Sequence, residues 1–343
     1  MAGRSEELFP PGTVLTKIEG VIFRYGYDRE VPRMLEVLEA TFGRWPGFDL
    51  DVTPFEHLRW KMSPPGRAVR PMVFVDGDTI IGTTLEVERR YLLAGKPLVV
   101  FDGTDAGVLP AYQSRGLYSG SRRWMETDPL PTFAIELYTA NPGMANLLRR
   151  GGCREPENRV DALAAPTIAA ALRSGGRAVT VREVDRFDER IDPLFAAAIG
   201  DFDFIQVRNR KSLDWRYCDR RGGRFRTAIA ENGDELLGFV VTKTEGTRGW
   251  IADLVAAPER PDALRALVAA ALSRLRSDGT TTATSWAPKS HPYRRALRSA
   301  GFVNLRRPPN LLYRAMHVDP SRLEVLADPR GALHLMPGDF DWI

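Results

Sequence analysis

Residues 108–119 read VLPAYQSRGLYS. They follow an apolar run, LVVFDGTDAG (98–107), and lead into SGSRRWMETD (119–128), which reads as a helix. The apolar run is a strand that ends at Pro110, where proline fixes φ and removes a backbone donor. Gln113, Ser114, Arg115 and Gly116 then form a short loop that enters the helix. The first turn of a helix leaves backbone N–H groups unpaired at the positive end of its dipole. Such a terminus holds phosphate without side-chain chemistry. Gly116 lets the backbone come close to a ligand. Ser114 adds a hydroxyl, and Arg115 adds a charge suited to a diphosphate. The stretch reads either as a pyrophosphate cradle or as a plain helix start, and its surroundings decide between them.

The chain repeats itself. FEHLRWKMSPPG (55–66) matches KSLDWRYCDRRG (211–222), with Trp60 and Trp215 at an offset of 155. MVFVDGDTIIGTTLEV (72–87) matches TAIAENGDELLGFVVT (227–242), with Gly82 and Gly238 at an offset of 156. In each, two apolar runs flank an Asp-Gly or Asn-Gly turn, a strong hairpin signal. DAGVLP (105–110) matches DLVAAP (253–258), and NLLRRGGC (146–153) matches RALRSAGF (295–302), at offsets of 148 and 149. Four landmarks in one order at nearly constant offset define a duplicated domain.

Each copy gives a strand, a helix, a short Trp-bearing helix, a hairpin, a strand ending at proline, a helix, a strand, a helix ending in glycine, and last strands. That order predicts the α/β class: a mixed, mostly antiparallel sheet flanked by helices, made twice. The expected division is 14–165 for the first domain, 166–177 for a connector, 178–318 for the second domain and 319–343 for a docked tail.

The 343 residues, 43% of them apolar, suffice for two cores. A charged fraction of 27% and a net charge of +4 fit a soluble protein and give no argument for nucleic acid. Two cysteines, Cys153 and Cys218, suit a reducing cytoplasm. No run approaches a membrane span, and no apolar signal core opens the chain. The most basic stretch, RNRKSLDWRYCDRRGGRFR (208–226), reads as a solvated face.

VLPAYQSRGLYS resembles the acyl-CoA motif of the GNAT acyltransferase superfamily, in which Val-x-Pro precedes Arg or Gln-x-x-Gly-x-Gly or Ala. Gln113 and Gly116 take those places, and Tyr118 stands where a small residue is usual. NPGMANLLRRGGC is similar to the family's Asn-bearing turn and closing helix. The second copy resembles the same fold without the motif, so the chain resembles tandem GNAT proteins. The resemblance implies acetyl-CoA, or another acyl-CoA, as co-substrate. The backbone near Gln113, Ser114, Arg115, Gly116, Leu117 and Tyr118 is then expected to hold the diphosphate. Val108 and Leu109 are expected to pair with the pantetheine arm as an added strand, and Asn141 to contact that arm.

Acyl transfer to an amine needs a proton acceptor and often an acid for the leaving thiolate. Asp102 stands six residues before Val108, where many GNAT enzymes place a base. Asp105 is the second candidate, or braces the loop. A regular strand points the two to opposite faces, unless Gly103 marks a bulge. The family's usual acid position holds Leu148, so Tyr138 or Tyr112 are the hydroxyls at hand. Glu136 is a further pocket candidate. His57, His291, His317 and His334 show no ligand spacing, so no metal is expected. Ser119 and Ser121 lack a His-Asp setting. The second copy, APERPDALRALV, has no glycine in place of the cradle, which predicts one coenzyme site per chain.

These readings converge on an acyl-CoA-dependent N-acyltransferase acting on a small amine, such as an amino sugar or specialised metabolite, through a ternary complex. No nucleic-acid or membrane partner is expected, and the chain is expected to be a monomer or homodimer. Two alternatives keep the fold: a tRNA-dependent aminoacyltransferase of the tandem kind, or a non-catalytic acyl-CoA-binding protein.

Overall fold

The computed structural model describes residues 9–125, 134–168, 179–305, 309–340 and 343. Of the expected connector 166–177, residues 169–177 lie outside the described residues, as do 341 and 342 of the tail. In chain order the strands are β1 (Val14–Ile18), β2 (Val21–Tyr25), β3 (Val69–Asp76), β4 (Thr79–Leu93), β5 (Lys96–Val108), β6 (Ile135–Thr139), β7 (Val160–Pro166) and β8 (Thr180–Val184). They continue with β9 (Phe204–Gln206), β10 (Phe225–Asn232), β11 (Glu235–Glu245), β12 (Arg248–Ala256), β13 (Thr282–Pro288), β14 (Val303–Asn304), β15 (Leu311–Ala315) and β16 (Leu333–His334). The helices are α1 (Val31–Phe42), α2 (Pro54–Lys61), α3 (Leu117–Met125), α4 (Pro142–Arg150), α5 (Ile191–Ala198), α6 (Arg210–Leu213), α7 (Pro261–Ser277), α8 (Arg294–Ser299) and α9 (Glu324–Ala327).

The chain forms two compact units that are interleaved in sequence. The front unit takes residues 1–89, 98–155 and 310–319; the rear unit takes 90–97, 156–309 and 320–343. In the front unit the strand order is β1-β2-β3-β4-β5-β6-β15, and in the rear unit β8-β10-β11-β12-β13-β7-β14. The strand after each parallel step is exchanged: β7, from the first copy, pairs with β13, and β15, from the second, pairs with β6. A single cut at the connector therefore does not reproduce the compact units.

The duplication seen in sequence returns in the hydrogen bonds. The β3–β4 hairpin shifts register between Phe74 and Val75, and the β10–β11 hairpin between Ala230 and Glu231, at an offset of 156. The parallel pairing of β5 with β6 covers only Val100–Asp102, and that of β12 with β13 only Arg248–Trp250, at an offset of 148. Beyond those three rungs the two strands of each pair diverge.

Helices cover both sheet faces. On α1, Val31, Met34, Val37 and Leu38 recur at helical spacing and are buried with Val73, Leu85 and Val87. Thr53 caps α2 with Glu56 in a reciprocal capping box. The other front face buries Phe9, Phe23, Phe74 and Phe101 together with Leu117 and Met125 of α3. In the rear unit, Leu264, Leu267, Val268 and Leu275 of α7 pack on Leu237, Val240 and Leu254. Among the described residues no helix is long and apolar enough to cross a membrane.

Candidate functional site

The front cradle starts where β5 leaves the sheet. Leu109 N–H donates to Ile81 O at 2.8 Å, and Tyr112 N–H returns to Leu109 O at 2.8 Å, closing a turn over Pro110–Tyr112. The Gln113 amide group donates to Val108 O at 3.0 Å, which fixes the loop to the strand end. Ser114 (φ 66°) and Gly116 (φ 72°) both take the left-handed conformation around the exposed Arg115. Alternation of this kind turns successive N–H groups inward on an anion-sized hollow. Nothing lies within 4 Å of where a Gly116 Cβ would stand. Helix α3 follows, its first closing bond running from Gly120 N–H to Gly116 O at 2.8 Å. The N–H groups of Leu117, Tyr118 and Ser119 precede that bond and have no intrahelical acceptor. The loop, Gly116 and the start of α3 thus follow one another directly at the end of β5.

The rear copy repeats the first steps and then departs. Ala257 N–H donates to Leu237 O at 2.8 Å, and Arg260 N–H to Ala257 O at 3.3 Å, the same two bonds displaced along the repeat. Helix α7 then begins at once, at Pro261, and leaves no loop. Its first turn already carries the Asp262 carboxylate, held down at about 2 by its hydrogen bond from Arg260. A proline and an anion occupy the end where a phosphate would sit.

The pairing of β5 with β6 ends at Asp102. Gly103 sits against the Tyr138 ring: a Cβ there would lie 2.4 Å from a ring carbon. Tyr138, buried, is therefore a wedge against β5 just past the last rung. The Arg122 guanidinium, on α3, donates to its hydroxyl and reaches Glu136 Oε2 at 2.8 Å. Burial holds the Tyr138 hydroxyl well above its ordinary value and pushes that of Tyr118 up to about 12. Burial raises the Glu136 carboxyl, but Arg122 and Arg314 outweigh it and hold it below the usual range.

The two aspartates do not alternate as a regular strand requires. Asp102 is buried, and its Oδ2 accepts from both Nε and Nη2 of Arg89, at 3.0 and 2.8 Å. Within β5, Asp105 takes the left-handed conformation, with φ 52°. Lys61 Nζ consequently meets two successive residues, Thr104 Oγ1 at 3.1 Å and Asp105 Oδ2 at 2.6 Å. The Trp45 indole donates to Asp105 Oδ1 at 2.8 Å. Lys61 and Trp45 were not singled out in the sequence, although Lys61 follows the repeated Trp60. Asn141 caps α4, accepting from Met144 N–H at 2.9 Å. Leu148 is buried beside Tyr138, Ala145 and Cys153.

In the rear unit the corresponding slot holds the chain itself. Asp253, at the place of Asp105, accepts from buried Arg208 at 3.0 Å and from the Tyr217 hydroxyl at 3.1 Å. Arg208 also donates to Asp339 at 2.7 Å. Gly338 is pressed on β12: a Cβ would stand 2.8 Å from Ala252 O and 2.4 Å from the Tyr217 hydroxyl. Phe340 lies against Trp286 of β13, ring centres 5.8 Å apart. Arg216, at the place of Lys61, donates to the carbonyls of Gly338 and Phe340, each at 3.0 Å. Arg208 and Arg216 thus correct the reading of 208–226 as a solvated face; each meets buried acceptors that compensate its charge.

No protein-family model matches the sequence, and no curated protein does. The fold matches solved structures. One is a conserved Enterococcus faecalis V583 protein described as a probable N-acyltransferase: 11% identity, 87% of this chain and 73% of that one, TM-score 0.65. A GCN5-related N-acetyltransferase from Kribbella flavida matches at 16% identity over 87% and 71%, TM-score 0.60. A tandem GNAT protein from the clavulanic acid biosynthesis pathway matches at 14% over 86% and 98%, TM-score 0.56. The chain has the GNAT-superfamily fold, in two tandem units of mixed sheet flanked by helices. Among the described residues no cluster of His, Cys, Asp or Glu is placed to hold a metal ion.

Proposed function

We propose that the front unit binds an acyl-CoA and passes its acyl group to the nitrogen of a small amine, with acetyl-CoA as the donor and an amino sugar or specialised metabolite as the acceptor. The observation that supports this reading is a β5–β6 ladder that stops at Asp102, with β5 leading into a loop in which Ser114 and Gly116 take the left-handed conformation just before α3 begins. The diphosphate takes the amides of that loop. The pantetheine arm runs along β5 toward Val108 and Leu109, and Asn141 borders it. The fold shared with solved N-acyltransferase structures is consistent with this chemistry.

Transfer is direct: the amine nitrogen bonds to the thioester carbon, the C–S bond breaks, and CoA leaves as thiolate. Cys153 is no nucleophile in this scheme, since burial raises its thiol. We assign the proton-accepting role to Asp105, with Lys61 and Trp45 fixing its carboxylate. Asp102, tied to Arg89, and Tyr138, wedged on Gly103, hold the frame. Titration with acetyl-CoA, followed by calorimetry, should give one equivalent per chain. Gly116→Glu should weaken binding at least 100-fold, about 2.7 kcal/mol, because a carboxylate then fills the phosphate's place. Two tight equivalents, or unchanged binding in the variant, would overturn the assignment. Binding without turnover of any amine would leave an acyl-CoA-binding protein.

A further inference from the structure

The rear unit contains a cleft of about 320 Å³ between β8, β10, β11 and the C-terminal half of α7. The repeat explains why it is there. At the offset of 156, Arg226 stands on Arg70, Ala228 on Met72 and Thr242 on Glu86, and the cross-strand pairs Arg70–Glu86 and Arg226–Thr242 coincide. Val181 opposes Ala230 as Phe23 opposes Phe74. In the front unit this space is filled. Arg70 and Glu86 are buried, Arg70 Nε donating to Glu86 Oε2 at 2.7 Å, and Phe23 and Met72 pack beside them. In the rear unit three bulky residues have become valine, alanine and threonine, and α7 offers Ala270 and Ala271.

The arginine has been kept and its carboxylate has been lost. Arg226 is exposed, and no carboxylate of the described residues is seen paired with it. The other cations at the rim have internal partners: Arg182 with Glu231 at 2.7 Å, and Arg274 with Glu183 at 2.6 Å. A cation beside a hollow whose lining includes Val181, Ala228, Val240, Ala270 and Ala271 selects a ligand with an anionic head and an apolar body. We infer that this cleft binds a medium-chain carboxylate, whose head group takes, on Arg226, the place that the Glu86 carboxylate takes on Arg70. The chain enters over Ala228, Val240 and Ala270. This site is separate from the proposed coenzyme slot and does not depend on it.

Sodium octanoate is the probe, titrated into the full chain by calorimetry with acetyl-CoA present in excess, so that the front slot is not the site measured. One saturable equivalent is expected. Arg226→Ala, an exposed position that the core does not need, should raise the Kd at least tenfold. Thr242→Glu should abolish binding by supplying the missing carboxylate from within, with thermal stability kept or raised. Should that variant fail to fold, Arg226→Ala still decides. Equal affinity for 1-octanol, equal affinity in Arg226→Ala, or no saturable binding of octanoate would each overturn the inference.

Discussion

The front and rear slots have one framework and two contents. Both parallel ladders stop after three rungs, both following turns close with the same pair of backbone bonds, and both slots place an aspartate at the same repeat position. In front, Asp105 meets Lys61 and Trp45. In the rear, Asp253 meets Arg208, and residues 336–340 fill the gap between β12 and β13. A diverged ladder creates free backbone edges in either unit, since buried N–H and C=O groups need partners. The difference teaches that the fold supplies such a gap by default. Local sequence decides whether a ligand or the chain's own tail satisfies it.

The sharpest way to break this comparison is to remove the rear cation. Arg208→Ala leaves the buried carboxylates of Asp253 and Asp339 uncompensated and should cost about 3–5 kcal/mol in unfolding free energy. Chemical denaturation would read this, and a loss under 1 kcal/mol would show that the tail is not held through this network. The front counterpart should alter rate instead of stability. Asp105→Asn keeps an acceptor for Trp45, so the fold should persist with acetyl-CoA affinity within about threefold. Its kcat should fall roughly 100-fold or more, the contribution of a proton acceptor. Unchanged kcat would move the base elsewhere.

A smaller effect is expected from Gly338→Ala. The added methyl meets Ala252 O and the Tyr217 hydroxyl, and a crowded backbone position of this kind costs about 1–3 kcal/mol. Acetyl-CoA stoichiometry should stay at one per chain. The smallest effect concerns pH. His291 and His334 are buried, with ring nitrogens 3.0 Å apart, and burial holds both well below their ordinary value. Tyr293 N–H donates to His291 Nδ1, so His291 Nε2 carries the proton and donates to His334. Their native pKa values lie below the unfolded ones. The stability they contribute is therefore present above about pH 6.5 and lost as pH falls below it. Thermal scans from pH 7.5 to 5.5 should show roughly 1 kcal/mol lost for each histidine over the first unit below 6.5. His334→Gln should flatten that dependence.

Much of this was legible in the sequence because it depends on local chemistry. The Asp-Gly and Asn-Gly turns, the proline at each strand end and the glycine of the loop act within a few residues, and their spacing carried the duplication and the cradle. What stayed hidden depends on partners far along the chain. β7 and β15 are short apolar strands that suit either sheet edge, so nothing local assigns them, and the exchange went unseen. Arg208 and Arg216 look like neighbours in a basic run until their acceptors, Asp253 and Asp339 for one and the tail carbonyls for the other, arrive from 45 to 131 residues later. The left-handed turn at Asp105 had no local signal, because glycine is the usual bearer of a positive φ and the aspartate's partners, Lys61 and Trp45, lie far back in the chain.

The exchange of β7 and β15 bears on synthesis at the ribosome. The front sheet lacks its outermost member until residues 311–315 emerge, long after β6 has appeared. At about 5–20 residues per second, translation leaves β6 with an unpaired edge for on the order of ten seconds or more. A nascent chain stalled at residue 168 would hold an unfinished sheet and an orphan strand, β7, with nowhere to pair.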